Sequence, residues 1–322
     1  MDQRKLIKLG NSSFAIALPK NWIDKAGLKK GDNIFITPNS NGELIIQPKY
    51  KKVNTEEEEE LSLEGMKTRD INREIIAAYI NGINLIKLKF DKKNSQFVKE
   101  VLKDLFGVEI IESKHGSIIA KEVIDINSLS VESITRRIDN SVRNIFEDLE
   151  PCIKKGYATN KDYEEIAGAD KDVNRFYFLL WRMMVLGVDN PSVLNTLQTN
   201  STSLVYSWLT GMNLEKIGDD LKQIAFILSK KKLKDKELKD IEIIFSKLKE
   251  NFINSLNSYH LKDKNAAFKV TQNKNEIKNM CAVDKVSPAM KDICELFSRI
   301  QSNIHYISKY ILYFIKHKLY QE

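Results

Sequence analysis

Apolar residues change their period along this chain, and the change divides it. From about residue 128 onward they recur at helical spacing. Val131, Ile134, Ile138, Val142, Ile145 and Leu149 make one stripe, and Val173, Phe176, Phe178, Leu179, Met183 and Val185 a second. Leu204, Trp208, Met212, Ile217, Leu221, Ile224 and Leu228 form the third. The pattern then recurs at Leu238, Ile241, Phe245, Leu248, Phe252 and Leu256, and again from Ile293 through Phe297, Ile300, Ile304, Ile307 and Ile311 to Phe314. Two successive sets of long helices predict a tandem three-helix bundle over 128–322, with repeats at about 128–232 and 233–318. Pro191 and Pro288 fall near the start of the last helix of each set.

Upstream the periods are shorter. Ile7 and Leu9 alternate with Leu6 and Lys8, Gly10-Asn11-Ser12-Ser13 supplies a turn, and Phe14, Ile16 and Leu18 alternate up to Pro19. Lys20–Ala26 reads as two turns of helix with Gly27 in the C-cap role. A strand over Ile34–Thr37 follows, then the hairpin signal Asn39-Ser40-Asn41-Gly42 and Leu44-Ile45-Ile46. A unit of residues 1–52 is too small to cover its own apolar residues, so pairing with a second copy is expected. Residues 61–127 alternate differently. A strand at Leu61–Leu63, a helix over Thr68–Ile83, a strand over Asn84–Phe90, a helix over Ser95–Phe106 and a hairpin around His115-Gly116 predict a small α+β module. The fold class is therefore multidomain α+β with an all-α C-terminal half.

Charge sharpens these boundaries. The net charge is +7, and residues 1–52 hold ten Lys/Arg against four Asp/Glu, a surplus of six. Nearly all the excess positive charge therefore sits in the first module, as expected of a nucleic-acid-binding unit joined to a near-neutral remainder. The run Glu56–Glu60 reverses the sign abruptly and reads as a solvated acidic linker over 53–60. Three cysteines without paired spacing point to a reducing cytoplasm, and no apolar run is long enough to span a bilayer. The chain carries no phosphate-binding glycine loop, dinucleotide fingerprint, H-E-x-x-H or C-x-x-C, so a non-enzymatic role is expected. His260, His305 and His317, on helices with apolar neighbours, read as core-edge or surface residues rather than ligands.

One stretch carries candidate chemistry. Leu214-Glu215-Lys216-Ile217-Gly218-Asp219 places two carboxylates on one face of a helix, and Gly218 permits a neighbouring helix to come close. A hard cation between the acids is one reading. Spacing alone favours the other, a solvated stripe paired with Lys216 and Lys222.

Residues 4–38, RKLIKLGNSSFAIALPKNWIDKAGLKKGDNIFITP, resemble the SpoVT-AbrB domain through Gly10-Asn11-Ser12, Leu18-Pro19-Lys20, Trp22 and Gly27-Leu28-Lys29-Lys30-Gly31-Asp32. That resemblance implies a swapped-hairpin β-barrel formed by an interdigitated homodimer, with basic residues facing DNA phosphates. The candidates are Arg4, Lys5, Lys8 and Lys20. Most are lysines, which read bases less well than a bidentate arginine. The other reading is a dimerisation barrel without DNA, and the surplus charge favours phosphate contact.

The stretch Leu214–Ala225, LEKIGDDLKQIA, resembles the acidic signature of PhoU domains, helical regulators of phosphate uptake. Asp170–Phe178 is similar to the same family's acidic segment before an aromatic run. This resemblance, over about 128–318, implies a site for a divalent or transition metal ion (Mg, Mn, Fe or Zn) held by Glu215, Asp219 and Asp170, with Asp172 and Asn174 as further candidates. Ser298 and Ser302 stand where a second repeat would carry acids, so one site at most is expected. Together the resemblances imply an archaeal-type, cytoplasmic, phosphate-responsive transcription regulator. The alternatives are an adaptor that docks on a phosphate ABC transporter or its sensor partner, and, more remotely, a metal-dependent hydrolase.

Overall fold

The computed structural model describes residues 3–38, 42–48, 57–282 and 286–318. The protein is a multidomain α+β chain of two compact units, residues 1–55 and 56–322.

In the first unit, β1 (Ile7–Leu9) and β2 (Ser13–Ala15) form an antiparallel hairpin, and α1 (Lys20–Lys25) follows. The helix stops where the sequence places Gly27. Gly27 takes φ +66°, its amide donates to the Asp24 carbonyl, and the Leu28 amide donates to the Ile23 carbonyl. These two bonds satisfy carbonyls that the helix end leaves without partners. A second hairpin pairs β3 (Phe35–Pro38) with β4 (Leu44–Gln47). Its turn residues Asn39, Ser40 and Asn41 lie outside the described residues. The strand expected from Phe14 to Leu18 is shorter, ending at Ala15, and the two hairpins are separate sheets rather than a closed barrel within one chain.

The second unit begins with a four-stranded sheet. Its strands are β5 (Glu58–Ser62), β6 (Leu85–Lys89), β7 (Val108–Lys114) and β8 (Ser117–Glu122), in the order β5-β6-β8-β7. β5 and β6 are parallel and the other pairs antiparallel. The helices α2 (Thr68–Ile80) and α3 (Ser95–Lys103) supply Ile71, Ile75, Tyr79, Val98 and Leu102 to a core shared with Ile86, Leu88 and Ile118 of the sheet. Glu58–Glu60, expected in a linker, is instead part of an edge strand. Lys87 pairs with Glu58 and Lys89 with Glu60 across the strands, and these cations offset the repulsion along the glutamate run. Residues 53–56 of the expected linker lie outside the described residues.

The helical part comprises α4 (Val131–Lys155), α5 (Asn160–Asp189), α6 (Pro191–Thr196) and α7 (Ser201–Lys230), then α8 (Asp235–Leu261), α9 (Lys264–Gln272), α10 (Glu276–Met280) and α11 (Pro288–Lys318). α4, α5 and α7 pack on one another, as do α8, α9 and α11, while α4 lies against α8 and α7 against α11. The second set differs in its middle member, where the nine-residue α9 packs as the 30-residue α5 does in the first. Pro191 opens the short α6, so α7 starts only at Ser201, whereas Pro288 does open α11.

No domain break separates the sheet from the helices near residue 127. Phe178, Trp181 and Val185 of α5 pack on the core beneath the sheet. Between them Arg182, 3% exposed, donates to the carbonyls of Tyr79, Gly82 (3.2 Å) and Ile83 (3.2 Å), and to the Glu122 carboxylate (3.1 Å). The guanidinium fork thus serves carbonyls at and just past the C-terminal end of α2 while holding an ion pair. Gly82, at φ +93°, makes the approach possible, since a Cβ there would stand 2.7 Å from Leu186 Cδ2.

Candidate functional site

The first unit presents its chemistry on an uncovered surface. Among its described residues none is buried, and Leu9, Phe14, Ile16, Ile36 and Leu44 are all more than half exposed. Two short hairpins with apolar residues on both faces cannot remove those residues from water within one chain. Directly opposed residues of an antiparallel pair share a face, so Lys8 and Phe14 project from one side of the first hairpin. Ile7, Leu9, Ser13 and Ala15 project from the other. Arg4, Lys5, Lys8 and Lys20 are all exposed, the first two just before β1 and Lys20 at the first turn of α1. Each candidate cation thus reaches solvent from the same small unit whose apolar faces need a partner.

The carboxylate cluster of the helical half is built differently. Glu215 and Asp219 lie on α7, and Gly218 lets α5 come close enough that a Cβ there would be 3.3 Å from Asp170 Oδ1. Asp170, 2% exposed, faces α7 and pairs with the Lys222 ammonium, which also donates to Asp219 Oδ1 at 2.7 Å. Asn174 Nδ2 donates to Asp170 Oδ2 at 3.3 Å and to the Asp170 carbonyl at 3.2 Å. Asp172 is exposed and makes none of these contacts. Burial pushes the Asp170 carboxyl above the ordinary carboxylate range against the pull of Lys222. Burial, then the charges of Asp219 and Asp170, pushes Glu215 up to about 7. Burial works against the Lys222 ammonium, but its bonds to Asp170 and Asp219 outweigh it and raise its pKa.

These residues fit a lysine better than a metal ion. The Lys222 ammonium occupies the place between Asp170 and Asp219 that a cation would take, and among the described residues no group of three or more His, Cys, Asp or Glu is arranged to hold one. Lys222 is the partner that spacing alone favours, whereas Lys216 makes no ion pair among the described residues. In the second set, Ser298 and Ser302 donate back to the carbonyls of Cys294 and Ser298 on their own helix. The neighbouring Arg299 reaches across to Asp220 and ties α11 to α7.

Sequence reasoning missed several buried charged groups, among them Arg182 and Asp139. Arg182 had a visible signal, a lone arginine inside the apolar run from Phe176 to Val188. Asp139 had none. It is buried between Arg143 Nε (2.8 Å) and His260 Nε2 (2.8 Å), and the partner residue lies 121 positions away on α8. His260, expected at a core edge, is thus tied to the buried side of α4. Among the described residues no helix is long and apolar enough to cross a membrane.

Residues 7–54 match the family described as antidote-toxin recognition MazE, bacterial antitoxin. The stretch spans both hairpins and α1, so the N-terminal unit is AbrB/MazE-like, and the likeness fits a DNA-binding regulator. No curated protein and no solved structure matches the chain.

Proposed function

We propose that this chain is a DNA-binding transcription regulator that dimerises through its N-terminal unit. The observation that carries the reading is the combination found in residues 1–55. They hold a surplus of positive charge, two hairpins without a core of their own, and a likeness to MazE antitoxins. A second copy of the unit would cover Ile7, Leu9 and Ile36 in a swapped-hairpin barrel. It would also double the number of lysines facing one stretch of duplex, where phosphate contacts supply the affinity. Arg4, Lys5, Lys8 and Lys20 are the residues assigned to those contacts.

The helical half is read as the part that reports phosphate status. Support comes from the resemblance of Leu214–Ala225 to the PhoU signature and from the way α4, α5 and α7 are matched by α8, α9 and α11. The reading needs no metal, because Lys222 compensates the buried acid. Genome-wide mapping of bound DNA under phosphate-rich and phosphate-poor growth tests both parts. Discrete sites whose occupancy follows phosphate are expected. Sites indifferent to phosphate would refute the signal, and an absence of sites would refute the DNA role in favour of an adaptor.

A further inference from the structure

A cavity of about 420 Å³ opens where the first turns of α4 and α7 meet the C-terminal ends of α8 and α11. Its size falls in the range of small-molecule sites, which are mostly apolar with a few convergent polar groups. One wall is aromatic. Tyr206 packs edge-on to Phe314 at 5.4 Å between centroids and lies 6.0 Å from Tyr310. Deeper in, the hydroxyls of Ser207 and Tyr259 are bonded to each other at 3.1 Å.

The backbone around this cavity is unusual. Gln198 (φ +49°) and Lys262 (φ +55°) are the non-glycine residues with positive φ among those described, and both line it. Neither is the asparagine or aspartate that commonly tolerates this region, and such residues concentrate at ligand clamps. The αL position of Lys262 caps α8 and sets its side chain on the cavity rim.

Charge then selects the ligand. Glu132, on the same rim, is engaged by Arg136 through Nη2 (2.9 Å) and Nε (3.2 Å), and His260 by Asp139. Lys262 makes no ion pair among the described residues, though its charge also acts on Glu132. With Glu132 already held by Arg136, the three side chains leave one net positive charge at the rim, beside an aromatic wall. We propose that this cavity binds a small organic anion, an aromatic or apolar body bearing a carboxylate or phosphate, with Lys262 on the anionic group and Tyr206, Tyr310 and Phe314 on the body. The site is independent of the DNA-binding reading and of the Lys222 cluster.

Calorimetric titration of the full-length protein with phenyl phosphate, phenylacetate, phenol and inorganic phosphate tests it. One aromatic anion per chain is expected, with phenol and inorganic phosphate each at least about tenfold weaker, since each lacks one half of the recognition. Lys262→Asn keeps a residue tolerant of positive φ. It should weaken the aromatic anions about tenfold and leave phenol unchanged. Ser203→Trp should fill the cavity and abolish binding, with Ser203→Met as the gentler variant if circular dichroism shows the first unfolded. Inorganic phosphate binding as tightly as phenyl phosphate would overturn the organic body. No binding by either aromatic anion, or binding indifferent to Lys262→Asn and to the cavity-filling variants, would overturn the site.

Discussion

Replacing Arg182 with methionine should separate the sheet layer from the helices. The stem of the side chain stays apolar while its fork is lost. Four bonds disappear, to the carbonyls of Tyr79, Gly82 and Ile83 and to Glu122. Breaking a buried ion pair from one side costs about 3–5 kcal/mol, because the remaining charge is left uncompensated. Tyr79 O still accepts from the Gly82 amide at 3.2 Å, so the further loss falls on the Gly82 and Ile83 carbonyls, at about 1 kcal/mol each before water enters. A total of about 5–7 kcal/mol rivals the whole stability of an ordinary domain. Urea titrations followed by Trp181 fluorescence, which sits on the interface, and by far-ultraviolet circular dichroism measure it. The wild type should lose both signals together across residues 56–322. In the variant, Trp181 should report an earlier transition. A Glu122→Gln background removes the stranded charge, so the same arginine substitution there should cost about 2 kcal/mol less. A variant within about 1 kcal/mol of wild type, or one whose cost ignores Glu122, would refute the reasoning.

Three further outcomes are expected. Glu215→Gln should change the pH dependence of stability. The folded pKa of Glu215 is raised to about 7 from 4.5, so the fold favours its protonated form, and wild-type stability falls as pH rises from about 4.5 to 7. The variant should lose that fall in pH-resolved melting, and an unchanged profile would count against the buried carboxyl. Lys222→Met should destabilise by about 3 kcal/mol by stranding Asp170, and adding Asp170→Asn should recover most of it in chemical denaturation. Failure of that recovery would show that Lys222 does not act as the counter-charge. Leu9→Asp, on the hairpin face assigned to the second copy, should convert a dimer into a monomer in sedimentation, and an intact dimer would contradict the assigned partner surface.

Much of this architecture is legible in the sequence because local patterns decide it. The stripe from Val131 to Leu149 becomes α4, the alternation at Leu85–Lys89 becomes β6, and Gly27 ends α1. What escaped depends on partners distant in the chain. The glutamates of β5 read as a linker because their neutralising lysines, Lys87 and Lys89, arrive from another strand. The acids at 170, 215 and 219 read as metal ligands by resemblance, while spacing alone already paired the stripe with Lys222; what escaped was the reach of Lys222 across to Asp170 on α5. The cavity was invisible, since its walls come from four helices and its distinguishing mark, positive φ at Gln198 and Lys262, is a backbone property that neither residue type announces.

The DNA-binding claim is tested most directly by the salt dependence of duplex binding to the full chain. Wild-type affinity should fall steeply and linearly on a log–log plot, because the phosphates contacted release counterions. The Lys5→Ala/Lys8→Ala/Lys20→Ala variant should stay dimeric, bind more weakly, and show a slope shallower by about 3 per chain, at about 0.9 for each phosphate contact removed. Affinity and slope unchanged by the three substitutions, or no duplex binding by the wild type at low salt, would contradict the account.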